Sequence, residues 1–215
     1  MNDLDRDLSG AARAHQAVVA TLRELTDAQV GRPSLLPEWT IGHVATHIAR
    51  NADGHLRMFE AAARGEVAEM YPGGRERRTA DIEAGATRTA AELLVDVERT
   101  AAQLEAQWAA MPAGAWSGRG MTIGGEVPMT ELLFVRWREA AVHRADLGHG
   151  SSWADWDAEY VRVDLQRLTM VWASRKPMGL TELPREAMAV SDHQRLAWLL
   201  GRADIEGLAA AEIFG

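Results

Sequence analysis

The chain has 215 residues, a formal net charge of -8, 47% apolar residues and no cysteine. The charge excludes general nucleic-acid binding, which needs a basic face to neutralise phosphates, and no apolar run approaches the roughly 18 residues of a membrane span. Without cysteine there are no disulfides, no thiolate metal ligands and no protein-borne sulfur nucleophile, so any thiol chemistry needs a thiol from outside.

The length suits one large domain, or one domain with a small appendage. The start, MNDLDRDLSG, is acidic and polar and does not read as a secretory or transit peptide. A cytoplasmic protein is therefore expected, as a monomer or small homo-oligomer. Lys176 is the only lysine against 22 arginines, a bias that GC-rich codon usage explains.

A first helix is predicted over residues 3–26, where Leu4, Leu8, Ala11, His15, Val18, Val19 and Leu22 recur at helical spacing. Pro33 and Pro37 fix an irregular connection. Thr40 is a good N-cap for a second helix running to about Arg64 along the stripe Ile41, Val44, Ile48, Met58, which Gly42 and Gly54 weaken. Residues 65–78, with Pro72-Gly73-Gly74, read as a loop, and one long third helix follows over about 79–111. Gly124-Gly125 between short extended runs predicts a β-hairpin within Trp116 to Val127. Pro128 opens a fourth helix over about 129–147, closed by Leu147-Gly148.

The expected fold class is mainly α, a four-helix bundle over residues 1–150 with a small C-terminal α+β appendage over 151–215. Within the appendage, helices are predicted at about 155–175 and 192–202, with a mixed segment at 177–190 between them.

Metal sites in bundles are built from polar side chains on inward faces. In the fourth helix Glu139 and His143 lie at i and i+4, one turn apart on one face, beside Leu132, Val135 and Trp137. A carboxylate and an imidazole so placed can share an ion; the same spacing also describes an exposed Glu–His pair. The second helix adds His43 and His47 at the same spacing, with His55 two turns further on. His47, between Val44 and Ile48, points inward, as a ligand or as a hydrogen-bonded core histidine. Together His47, Glu139 and His143 offer two nitrogens and one oxygen, and three protein ligands with one position open is the catalytic zinc arrangement. Asp146, one turn beyond His143, opposes the helix dipole, and a hydrogen bond to a ligating histidine would compensate it. Asn51, one turn beyond His47, could do similar work.

These residues carry a resemblance. Leu36-Pro37-Glu38-Trp39-Thr40 with His43-Val44-Ala45-Thr46-His47-Ile48-Ala49-Arg50-Asn51, and Arg138-Glu139 to His143 with Asp146-Leu147-Gly148, resemble the two metal segments of the mycothiol-dependent maleylpyruvate isomerase family, which belongs to the DinB-like four-helix bundles. Met70-Tyr71 with Arg77-Arg78-Thr79-Ala80-Asp81-Ile82, and Leu200-Gly201-Arg202-Ala203-Asp204, extend the likeness over nearly the whole chain. The stretch between Trp172 and Ser191 departs from the family in being shorter, within the appendage that shapes the substrate pocket.

The resemblance implies a zinc ion, or another divalent first-row metal, on His47, Glu139 and His143, and mycothiol as the borrowed thiol. His43 and Asn51 would lie toward the cofactors, Asp146 would serve the catalytic site, and Arg78 and Arg202 would grip the carboxylates of a small anionic substrate. Isomerisation of maleylpyruvate to fumarylpyruvate by thiolate addition, bond rotation and elimination is the implied reaction. A transferase leaving the thiol on another electrophile, a non-catalytic metal- or ligand-binding module and, more distantly, a metal-dependent hydrolase are the rival readings.

Overall fold

A computed structural model describes residues 2–175 and 181–213. The chain divides into two compact units, Met1–Gly150 and Ser151–Gly215.

In the first unit, α1 (Asp3–Arg23) starts where Asn2 accepts the backbone N–H of Asp5, and a short α2 (Asp27–Val30) follows it. Thr40 caps α3 (Ile41–Ala63), accepting from the backbone N–H of His43 while the His43 ring takes the Thr40 N–H in return. Then come α4 (Gly74–Gly85), α5 (Ala90–Ala109), the antiparallel pair β1 (Arg119–Thr122) and β2 (Gly125–Pro128), and α6 (Met129–Asp146). Thr122 pairs with Gly125, so Ile123 and Gly124 form the two-residue turn.

Helices α1, α3, α5 and α6 close into a ring, α1 and α3 each packing on both α5 and α6. Val18, Leu22, Ile48, Phe59, Leu104, Leu133, Phe134 and Trp137 fill its interior. Each such side chain contributes roughly 1.5–3 kcal/mol on burial, which holds the ring closed around the polar groups it also buries.

The predicted third helix is two helices. Its Ala, Leu and Glu content favours one continuous helix, but tertiary contacts at the break win. Thr89 and Glu92 form a capping box that starts α5 afresh. Arg88, in the link, donates to Gly85 O, Asp96 and Thr46. Gly42 makes this docking possible: a Cβ there would stand 2.0 Å from the carbonyl oxygen of Ala86. Residues 74–78, read as loop in the sequence, are the first turn of α4.

The second unit holds a 3-10 turn (Trp153–Asp155), α7 (Ala158–Ala173), α8 (Arg185–Ala189) and α9 (Asp192–Leu199), with α7 packed on α9. Trp172 and Trp198 meet at 5.2 Å between ring centroids. No strand occurs among the described residues of this unit, and buried apolar positions recur at helical spacing on α7 and α9. Part of the mixed segment predicted at 177–190 lies outside the described residues. Helix α9 ends in a Schellman turn, Gly201 with φ 70° donating to Trp198 O and Arg202 to Ala197 O.

Candidate metal centre

Helices α3 and α6 lie side by side in the ring, so inward residues at matching depth meet. His47 comes from the second turn of α3; Glu139 and His143 come from consecutive turns of α6. Their ligand atoms all lie within 4.8 Å of one another, the one such group among the described residues. Nε2 of His47 stands 3.1 Å from Nε2 of His143 and 3.2 Å from Oε2 of Glu139; the third side is 3.6 Å. A tetrahedral ion with ligand bonds of about 2.0–2.1 Å has edges of about 3.3 Å. The triangle matches one face of that tetrahedron, and the fourth position would fall to a ligand from outside the protein.

The surroundings hold each donor. Nδ1 of His143 bonds Oδ2 of buried Asp146 at 2.8 Å, and Asn51 donates Nδ2–H to Oε2 of Glu139 at 2.9 Å. The Trp39 ring lies edge-on to His47 at 5.6 Å. Arg78 donates from Nη2 to Nδ1 of His47 at 3.1 Å, with its guanidinium about 6 Å from both the Trp39 and Tyr71 rings.

Burial, reinforced by neighbouring His143, pushes His47 down to about 4, so its ring is neutral at pH 7. Burial also acts to lower His143, but its hydrogen bonds to Asp146 and Glu139 outweigh this and raise it to about 9. Burial disfavours ionised Glu139, yet hydrogen bonds with His143 and His47 hold it well below the usual carboxylate range.

The protons do not fit this triangle comfortably. A guanidinium can only donate, so Arg78 leaves the single proton of His47 on Nε2. His143 carries one on Nε2 as well, and the two nitrogens face each other across 3.1 Å. One cation in place of those protons removes the conflict, and the donor set of two imidazoles and a carboxylate fits zinc or another first-row ion.

Of the predicted site residues, His47, Glu139, His143, Asp146, Asn51 and Arg78 converge here. His43 does not join the triangle: its Nδ1 serves the Thr40 cap and its Nε2 pairs with Glu83 at 3.2 Å. Arg202 stands in the second unit, where Nη1 donates to Leu200 O. Sequence reasoning missed Tyr71 and Trp39 as the walls around Arg78, and it missed Arg136. The signal for Arg136 was present: a cation inside the apolar run Leu132-Leu133-Phe134-Val135-Arg136-Trp137.

A cavity of about 610 Å³ adjoins the centre through Arg78 and Tyr71, and Arg50, Asp53, Arg57 and Arg77 also line it. Arg50 is tied to Asp53 and Asp96, and Arg77 to Asp81. Arg57 donates to Met70 O, and among the described residues neither Arg57 nor Arg78 is paired with a carboxylate. The open side of the cavity is thus suited to an anion.

Fold and site together define a four-helix bundle with a cluster of two histidines and one carboxylate that could hold a metal ion. The family model of the mycothiol maleylpyruvate isomerase N-terminal domain matches residues 11–148, and the chain belongs to that family. Among solved structures it is similar to the mycothiol-dependent maleylpyruvate isomerase, with a TM-score of 0.81 and 26% identity over 93% of this chain and 90% of that one. A histidine-to-alanine variant of that enzyme gives the same values. No curated protein matches the chain. No helix among the described residues is long and apolar enough to cross a membrane.

Proposed function

We propose that the chain is a metal- and mycothiol-dependent isomerase that converts maleylpyruvate to fumarylpyruvate. The observation that carries this reading is the open donor triangle of His47, Glu139 and His143 beside an arginine-lined cavity, in a chain with no cysteine of its own. A metal there, zinc or another divalent first-row ion, would hold the added thiol as thiolate near neutral pH, and reversible addition of that sulfur across a cis double bond lets the bond rotate and re-form trans.

The residues of the chain supply the rest. His47 and His143 offer Nε2 and Glu139 offers Oε2. Asp146 accepts the Nδ1–H of His143, so the proton that a metal would displace is the one on Nε2, and the lone pair it leaves faces inward. His47 offers its Nε2 lone pair only with its proton on Nδ1, and that proton would face the Arg78 guanidinium donor to donor. With a metal held by His47, Arg78 would lose that bond and be left to the cavity it also lines. There its planar fork suits one carboxylate of the substrate.

The test is turnover of maleylpyruvate by metal-loaded protein with and without mycothiol, followed as substrate loss and product mass. Thiol-dependent turnover to a product of unchanged mass, lost in His143→Ala, is expected. A stable thiol adduct would replace the isomerase with a transferase, and no turnover at full metal content would overturn the reading.

A further inference from the structure

Arg136 lies on α6 one turn before Glu139 and is fully buried. Keeping a cation out of water costs several kcal/mol unless its surroundings compensate, and no ion pair of Arg136 with a carboxylate occurs among the described residues. Its N–H groups instead reach three neutral acceptors on two other helices. Nε donates to Nε2 of His15 at 2.9 Å, and Nη1 donates to Ile48 O at 3.1 Å and to Oδ1 of Asn51 at 2.7 Å.

Those bonds fix the direction of every group along the line. Because Nε2 of His15 accepts, the proton of that ring sits on Nδ1 and is donated to Oε1 of Glu105 at 2.7 Å. Burial, with Arg136 adding to it, pushes His15 down to about 4, so the ring is neutral as this requires. On the other side, Asn51 must turn Oδ1 toward Arg136, which leaves Nδ2 aimed at Glu139. The oxygen it reaches, Oε2, is the one facing both histidines of the triangle.

We infer that Arg136 is a positioning residue for the metal centre: through Asn51 it fixes which oxygen of Glu139 faces the ion, and from where. Without the guanidinium the Asn51 amide is free to turn over and present its own oxygen to the carboxylate, which repels it. This inference rests on reading His47, Glu139 and His143 as metal ligands. A purely structural Arg136, one that only ties α1, α3 and α6 together, would affect stability and leave the metal untouched.

The experiment titrates metal-free protein with cobalt(II), reading affinity and the visible ligand-field spectrum alongside thermal unfolding, in wild type, N51A, N51D, R136M and R136M/N51A. Loss of an outer hydrogen bond of this kind weakens metal binding about ten- to hundredfold. That loss, with an altered spectrum, is expected in N51A and in R136M, and the double variant should bind no more weakly than R136M because the two act in series. N51D keeps an acceptor for Arg136 but offers Glu139 no donor, so it should also bind weakly while staying folded. R136M with wild-type affinity and spectrum, at whatever melting temperature, would overturn the inference, as would additive losses in the double variant. Should R136M fail to fold, N51D decides, and wild-type cobalt binding there would overturn it. Wild-type protein that took up no cobalt would instead overturn the metal reading beneath it.

Discussion

A metal ion needs neutral imidazoles and an ionised carboxylate, and the three ligands differ in how far they are from that state. Glu139 is already ionised and His47 already neutral at pH 7; His143, held up at about 9, still carries its extra proton. Zinc binding to metal-free protein at pH 7, with no thiol present, should therefore release close to one proton per chain. Calorimetry in buffers of different ionisation enthalpy counts it, and a count near zero would mean that His143 is not charged. The ligands themselves were legible in the sequence because helical spacing puts Glu139 and His143 on one face. Spacing also pointed to Asp146 behind His143; what it could not give were the supporting contacts made from another helix. Asn51 was readable as a supporting residue but not as a partner of Glu139, since that contact joins two helices. His15 read as one more position of an apolar helix stripe, and Arg136 went unread although it interrupts an apolar run.

At the scale of elements, close approach matters more than propensity. Residues 79–111 have the composition of a single helix, and the capping box at Thr89 and Glu92 was the local sign against it. The stronger cause was non-local: α3 offers Gly42 and Thr46 as a seat for the 86–89 link. Gly42 read as a weak point in an apolar stripe, and its value appears only when Ala86 is in place. Gly42→Ala would gain about 1 kcal/mol in an open helix. Here the added Cβ meets a backbone oxygen that cannot rotate aside, and overpacking of this kind costs on the order of 3 kcal/mol. Chemical denaturation should show net destabilisation; a more stable Gly42→Ala protein would contradict the packing described. The hairpin and the limits of α6 were readable because their signals, a Gly-rich turn and Pro128, are local.

For the whole molecule, buried histidines set the acid limit. His15, His47 and His55 are all lowered by burial, to about 4, 4 and 3. Between pH 6.5 and 4 the unfolded chain binds protons that the folded metal-free protein refuses, so stability falls as pH falls, by up to about 1.4 kcal/mol per pH unit for each histidine. His143 has the opposite sign: its contribution is full below pH 6.5 and is lost as pH rises toward 9. Unfolding of metal-free protein followed across pH 4 to 9 should therefore show greatest stability near pH 6.5. A flat acid limb would contradict the burial of these rings. The bundle of the first unit was legible because four long stripes alternate with Pro- and Gly-rich connections, and in the second unit α7 and α9 were legible while the five-residue α8 was too short to carry a periodic signal.

The claim that joins these scales is that the open corner of the triangle takes the sulfur of an external thiol. Cobalt(II) bound at the centre makes that visible. Adding mycothiol to the cobalt protein should produce a sulfur-to-metal charge-transfer band at one thiol per chain, absent in His143→Ala. A cobalt spectrum unchanged by saturating thiol would contradict the account.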